Sequence, residues 1–412
     1  MDAHARLYAL QKVLAHSKSS AFYRQRIPDA PIESLADFRQ IPLLTKDDVR
    51  SQSPFGLVCA PRERLFQYHE SSGTTGTPSS VWFTKRDLAQ IHQRISRCGV
   101  QFTPQDIVLI RFPYALSTIS HMMHQTAQMQ DACVVPADSR TTITPLPSVV
   151  RMLKQLQVSV LCCLSLNAVM IAEMAEMLGY DPKADFPYLR AICTAGEPLS
   201  PARRRLLTDI WGVPVYDNYG MTETGTIMVE CEHHQAHIFD DLYHIEVLAD
   251  DLTTEAAPGE IGHLVITTLQ ERATPMIRYL TGDRVRLIHQ PCACGEPTTL
   301  HVYGRSADTL TIQGGQLDLW HLEEIVGHLP CRRFWAVAPT AAGLHYLVEQ
   351  EREGVTIPTD LKAKLEQTYQ IALTIELVPK GTLYDRREPM SFGMAGKPKY
   401  ICTPDEITNL KA

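Results

Sequence analysis

Between residues 107 and 220, five short apolar runs (IVLIRF, ACVVPA, VSVLCCL, LRAICTA and PVYDNYG) alternate with amphipathic segments. Runs of this length are too short for independent helices and too apolar for loops. Spaced by helix-length stretches, they mark βα units of a layered α/β domain with a largely parallel sheet. The longest apolar stretch, VSVLCCLSLNAVMIAEMAEML (158–178), carries Asn167, Glu173 and Glu176. It reads as a buried strand turning into an amphipathic helix, not as a membrane span.

From about 237 to 303 the pattern becomes strand-like (HIEVLAD, GHLVITTL, VRLIHQ). Upstream, residues 5–25 have helical apolar spacing, Thr45 can cap a short helix favoured by Asp47 and Asp48, and TKRDLAQIHQRI opens another capped helix. Beyond Arg305 the expectation is a small α+β unit: a hairpin from FWAVAPT and LHYLVEQ, a helix capped at Thr359, and the strand LTIELV. A chain of 412 residues exceeds what one core serves. The division expected is 1–305 for a large N-terminal domain with a β-rich subdomain, and 306–412 for a small C-terminal one.

A net charge of −7 gives no electrostatic footprint for nucleic acid or an acidic membrane surface. The start MDAHARLYAL lacks the basic and apolar segments of a secretory signal, and the eleven cysteines are odd in number. A reducing cytoplasm is therefore expected, where clustered cysteines point to metal or chemistry rather than to a disulfide framework.

The stretch ESSGTTGTPSS (70–80) is rich in hydroxyls and glycine. It is open to two readings, a polar surface loop or a phosphate cradle of backbone N–H groups and hydroxyls. It is not the common P-loop, because Gly73 and Gly76 are separated by two residues and followed by Thr77-Pro78. Four other stretches fall at strand ends or turns: CTAGEPLS (193–200), YDNYGMTETG (216–225), RYLTGDRVRL (278–287), which places Asp283 in a turn between strands, and YGRSADTLTIQGG (303–315). Each alone has a local explanation, a plain turn or an exposed carboxylate at a helix start. Ligands of α/β sheets sit at strand ends, so together these loops can line one cleft.

SSGTTGTP, AGEPLS, YGMTETG, YLTGD and GRSADTLTIQGG, in this order, resemble the signature stretches of the adenylate-forming enzymes, specifically the branch like phenylacetate–CoA ligase. The resemblance runs from IPLLTKDDVR (41–50) to the C-terminal lysine region. It implies a large N-terminal domain and a mobile C-terminal lid hinged at Asp308. It also implies that ATP and a carboxylic acid form an acyl-adenylate with release of pyrophosphate, commonly followed by transfer to CoA. Carried over residue by residue, Ser71, Ser72, Gly73, Thr74, Thr75 and Gly76 hold the β- and γ-phosphates. Ala195, Gly196, Glu197 and Pro198, with Asn218, Tyr219, Gly220 and Met221, line the adenine, and Tyr219 stacks on it. Thr222 and Glu223 are catalytic, Glu223 as the carboxylate for Mg²⁺, Asp283 accepts from the ribose hydroxyls, and Arg305 holds the ribose or α-phosphate. Many relatives end the phosphate loop in lysine; this chain has Thr77, Ser79 and Ser80 there, so another cation must compensate, and Mg²⁺ is the candidate. In MAGKPKY (394–400) the Gly-Lys pair designates Lys397 as the catalytic cation, with Lys399 two residues on.

Two further expectations concern metal and substrate. CEHHQAH (231–237) and CAC (292–294) supply Cys231, His237, Cys292 and Cys294, a Cys₃His set suited to structural Zn²⁺, with His233 and His234 as surface residues or alternatives. An aryl or heteroaryl acid is expected, bound near Tyr114, Ser117, His121 and Ala195. The run GGQLDL (314–319) departs from the relatives' Gly-Val-Asn-Val-Phe-Pro. The acceptor is thus left open between CoA, a carrier protein and a reductase. A binding module for adenylates without full ligase activity is the alternative.

Overall fold

The computed structural model describes residues 1–71, 77–312, 315–387 and 400–410. A hairpin of β1 (Leu65–Glu70) and β2 (Ser80–Thr84) precedes the main sheet. That sheet contains β3 (Ile107–Ile110), β4 (Cys133–Pro136), β5 (Val160–Cys163), β6 (Ala191–Ala195) and β7 (Val215–Met221). It continues with β8 (Gly225–Glu230), β9 (Ala236–Ile238), β10 (Tyr243–Leu248), β11 (Ile261–Thr268), β12 (Tyr279–His289) and β13 (Thr298–Arg305). The spatial order is β10-β11-β12-β13-β9-β8-β7-β6-β5-β3-β4. The five apolar runs supply the parallel strands β4-β3-β5-β6-β7, and every pairing beyond β7 is antiparallel.

Both faces of the parallel part are covered, which is why its strands read as continuous apolar runs. Val108, Ile110, Cys162 and Cys193 enter one core, while Leu109, Leu161, Cys163 and Ile192 enter the other with Trp211. The helix Ser165–Met177 departs from the amphipathic expectation, for it is buried at every position from Ser165 to Ala175. Neighbouring helices cover it on one side, and Arg386 and Lys380 reach Glu173 from the C-terminal part of the chain.

A third core joins the N-terminal helices (Leu10, Val13, Tyr23, Phe38) to Met276 and Tyr279. Leu44 is threaded onto β12, accepting from Leu280 N and donating to Arg278 O, both at 2.9 Å. The helix Lys46–Gln52 that follows begins with a capping box on Thr45, as does Lys85–Ile95 on Thr84.

The large sheet takes its last strand from residues ending at Arg305. Beyond it lie a two-stranded ribbon, β14 (Leu310–Ile312) and β15 (Gly315–Leu317), and a three-stranded sheet of β16 (Trp335–Pro339), β17 (Gly343–Glu349) and β18 (Ala372–Val378). The antiparallel pair β16–β17 is the expected hairpin. The helix Thr359–Tyr369 has Pro358 at its cap position, so Thr359 is its first residue and not its cap. Among the described residues, no helix is long and apolar enough to cross a membrane.

Candidate active site

Gly196 leaves the end of β6 at φ +81°, a left-handed turn that glycine adopts without strain. Glu197 then turns back onto the neighbouring strand end, where its Oε2 accepts from Ser165 Oγ at 2.8 Å and Leu166 N at 3.2 Å. It therefore caps the buried helix Ser165–Met177, a role invisible in the sequence. Gly304, near the end of β13, lies against Pro198; a Cβ there would be 3.9 Å from the proline ring. The Gly196–Pro198 loop and the β13 end carrying Arg305 are thus neighbours.

Opposite them, β7 carries Tyr219 and Gly220 into a tight hairpin with β8. At Gly220 an added Cβ would sit 2.4 Å from Gly225 O, so only glycine fits. Asn218 is buried and turns inward, donating to Cys193 Sγ at 2.9 Å. Ala195 is buried as well, while Met221 and Thr222 are half-buried beside it.

Asp283 does not lie in a free turn. Thr281, Gly282 and Asp283 belong to β12, where Gly282 at φ +83° opens a bulge opposite Leu264 and lets the ladder continue to Arg284. The bulge re-aims the Asp283 side chain. It accepts from the Tyr219 hydroxyl, its N–H donates to Thr281 Oγ1 at 3.1 Å, and it stands opposite the exposed Arg305 on β13. Burial, reinforced by the Asp283 carboxylate, pushes the Tyr219 phenol well above its ordinary range.

Glu223, in the β7–β8 turn, is 3% exposed. Its Oε1 accepts from Ser79 Oγ at 2.5 Å and lies 3.9 Å from Lys46 Nζ. Burial first, then the Glu223 and Asp283 carboxylates, keep the Tyr279 phenol far above the usual range and protonated. Ser71 and Ser79 pin the ends of the glycine-rich run, Ser71 N donating to Ser79 O at 2.9 Å and Ser79 N to Ser71 Oγ at 3.0 Å. Ser72, Gly73, Thr74, Thr75 and Gly76 themselves, like Lys397 and Lys399, lie outside the described residues.

The structure therefore connects Ser71 to Glu223 through Ser79, and Tyr219 to Asp283 opposite Arg305, and adds Lys46 and Tyr279. Lys46 stands one residue past the Thr45 cap with its Nζ 3.9 Å from Glu223 Oε1, a nearness that follows only from the threading of Leu44 onto β12. A buried carboxylate next to serine hydroxyls is the hard-oxygen donor set that suits Mg²⁺.

Near the expected acid pocket, Leu116 O accepts from Glu70 N at 3.1 Å, tying this segment to β1. Tyr114 Oη pairs with His124 Nδ1 at 3.2 Å, and the His121 and His69 rings lie 5.3 Å apart. Burial first, and His121 second, bring His69 down to about 4, so its imidazole is neutral at physiological pH.

Cys231, His237, Cys292 and Cys294 come together from the end of β8, from β9 and from the β12–β13 turn, with their ligand atoms all within 4.8 Å of one another. Cys231 Sγ and Cys292 Sγ are 3.8 Å apart, and Cys294 Sγ is 3.2 Å from His237 Nε2. Two sulfurs at ~2.3 Å from a tetrahedral zinc would be about 3.8 Å apart. His237 Nδ1 donates to Thr298 O at 2.8 Å, leaving Nε2 with its lone pair facing the cluster, the usual tautomer lock of a ligating imidazole. Hydrogen bonds within the cluster, the backbone N–H of Cys294 first, hold the Cys292 thiol below its ordinary range. His234 instead stacks on Tyr216 with centroids 4.7 Å apart, and His233 is exposed.

Residues 2–270 match the model of a family described as AMP-binding enzyme. The phenylacetate-coenzyme A ligase of Thermus thermophilus is 29% identical over 361 residues, covering 84% of this chain and 78% of that protein. Among solved structures, 2-hydroxyisobutyryl-CoA ligase in its postadenylation state with 2-HIB-AMP superposes with a TM-score of 0.86 at 22% identity, covering 99% of this chain and 90% of that one. The same ligase with 2-HIB-AMP and CoA in the thioesterification state gives a TM-score of 0.69 at 23% identity, covering 97% and 89%.

Proposed function

The chain belongs to the AMP-binding enzyme family, and from that membership we propose that it activates a carboxylic acid with ATP and passes the acyl group to CoA. The observation that carries this reading is the joining of Glu223, Tyr279, Asp283 and Tyr219 beside the pinned ends of the phosphate loop. An oxygen of the substrate carboxylate attacks the α-phosphorus, the bond to the bridging oxygen breaks, and pyrophosphate leaves with that electron pair. The thiolate of CoA then attacks the acyl carbon, and AMP departs.

Ser71 to Gly76 hold the β- and γ-phosphates, and Thr222 adds a hydroxyl. Glu223 would hold Mg²⁺, which supplies charge neutralisation on the departing pyrophosphate, while Lys46 supplies the cation that the loop lacks. Asp283 holds the ribose hydroxyls and orients Tyr219, whose ring flanks the adenine against Gly196–Pro198. Arg305 holds the ribose or α-phosphate, and residues 306–412 form a lid hinged near Asp308. The named activity of the relatives favours CoA over a carrier protein or a reductase as acceptor. Asp318, which departs from the relatives' lid run, caps the helix Leu319–Gly327 by accepting from His321 N at 3.1 Å. The acid is an aryl or heteroaryl acid, and the eleven free cysteines suit a reducing cytoplasm.

The test is release of pyrophosphate from ATP and Mg²⁺ across a panel of aryl acids, with and without CoA. The expected result is acid-dependent release and, with CoA, a thioester product. Absence of release with every acid from folded protein would leave adenylate binding without catalysis.

Zinc at Cys231, His237, Cys292 and Cys294 clasps three neighbouring strands at the end of the antiparallel sheet. Protein purified without chelator is expected to carry about one zinc per chain. Cys292→Ser is expected to lose most of the metal and to melt several degrees lower. Metal-free protein with an unchanged Tm would refute a structural zinc.

A further inference from the structure

The contact between residues beyond 305 and the large sheet contains an ion pair shielded from water on both sides. Arg203, on the helix Pro201–Trp211, and Glu323, on the helix Leu319–Gly327, have side chains only 2% and 5% exposed. Arg203 Nε donates to Glu323 Oε1 at 2.8 Å, and Ser200 Oγ donates to Oε2 at 2.5 Å. The guanidinium lies 5.4 Å from the centre of the Tyr400 ring, which stacks on Trp335 at 4.8 Å. The gap lined by Arg203, Leu206, Glu323, Val326 and Trp335 amounts to about 10 Å³, the bottom of the range that one water needs. Arg205–Glu324 and Arg332–Asp209, also across this contact, are far more exposed and contribute little, while Arg386–Glu173 is buried nearly as deeply at 12% and 7%.

A buried pair behaves differently. Its desolvation is tolerable only while both partners and their hydrogen bonds stay in register, and separating them strands two charges until water enters. Arg203 and Ser200 belong to the segment that follows Gly196–Pro198, whereas Glu323, Trp335 and Tyr400 all lie beyond Arg305. Any rotation of one unit against the other must break this set as a whole. The chain also superposes better on the postadenylation state of its structural neighbour than on the thioesterification state.

We propose that Arg203 and Glu323, with Ser200 and Tyr400, form a latch that holds residues beyond 305 in the orientation used for adenylation, and so sets the balance between the two half-reactions. They are positioning residues and touch no substrate. The proposal rests on the adenylation reading above, and its test separates the two.

Glu323→Gln and the double variant Arg203→Met/Glu323→Met are compared with the unaltered chain. The second removes both charges and keeps the contact apolar, which protects the fold. Three quantities are measured: acid-dependent pyrophosphate release, conversion of preformed acyl-adenylate and CoA to thioester, and small-angle scattering of the ligand-free protein. Both variants are expected to release pyrophosphate about tenfold more slowly, the equivalent of one weakened buried contact, with little change in KM for ATP. Thioester formation from preformed adenylate is expected to be unchanged or faster, and the particle to become more extended. Equal losses in both half-reactions, or variants matching the unaltered chain in rates and scattering, would overturn the latch. If the unaltered chain releases no pyrophosphate with any acid but Glu323→Gln still extends the particle, the adenylation reading fails and with it the latch's catalytic role, while the pair's hold on residues beyond 305 stands.

Discussion

Glu223→Gln is expected to slow acid-dependent pyrophosphate release by about 10²–10³-fold, the usual loss when one preorganised electrostatic group is removed from a reacting centre. Glutamine keeps the volume and can still accept from Ser79 Oγ, the partner now at 2.5 Å. What it loses is the negative charge, in a place only 3% exposed where water cannot substitute for it. If that charge holds Mg²⁺ against the pyrophosphate, kcat falls and the Mg²⁺ concentration for half-maximal rate rises, while ATP affinity changes only a few-fold. The rival explanation is a structural pair with Lys46, whose Nζ lies 3.9 Å away. Under that explanation, Lys46→Met combined with Glu223→Gln would restore the rate by removing both charges. If Lys46 instead supplies the cation that the phosphate loop lacks, the double variant is slower than either single one.

Lys397→Ala is expected to have an effect of the same size, about 10²–10³-fold on adenylation. A cation that bridges the attacking carboxylate and the α-phosphate is needed most when negative charge gathers in the transition state. Its loss therefore appears in kcat and leaves ATP affinity within a few-fold. Conversion of preformed acyl-adenylate to thioester should be largely spared. Lys397 lies outside the described residues, but Tyr400, three positions on, is held between Trp335 and Arg203. The same measurement on Lys399→Ala decides between the two lysines: a loss there with a normal Lys397→Ala moves the assignment by two residues. Normal rates in both would mean that this part of the chain does not supply the cation.

Much of the site was legible in the residues because its parts are local. Glycines at Gly196 and Gly220 mark places where the backbone turns left-handed or meets another strand, and both are read from the sequence as loops at strand ends. The Cys₃His set was legible for a different reason, since ligand chemistry restricts which residue types can gather around a metal. Its geometry was not, because β9 reaches both β8 and β13 only through the pairing of distant strands.

Thr-Gly-Asp carries turn chemistry, so the sequence alone places Asp283 in a turn. The strand pairing on either side overrode that preference and converted the glycine into a bulge. The amphipathic reading of Ser165–Met177 failed for a related reason. Its polar residues Asn167 and Glu173 suggested a solvent face, but Glu173 is buried against Arg386 and Lys380 from the far end of the chain.

By itself, then, the sequence determined the five parallel strands, the capping boxes at Thr45 and Thr84, the order of the loops and the members of the Cys₃His cluster. Each of these follows from periodicity, backbone preference or ligand chemistry within a short window, where neighbours along the chain are also neighbours in space. Only the tertiary structure decided that Lys46 stands by Glu223, that the buried Tyr279 comes under the influence of both Glu223 and Asp283, that Glu197 caps a helix from another strand end, and that Arg203 meets Glu323 out of water. Those partners are set by which strands pair and which helices pack, and burial then gives each pair its strength by removing the water that would otherwise screen it.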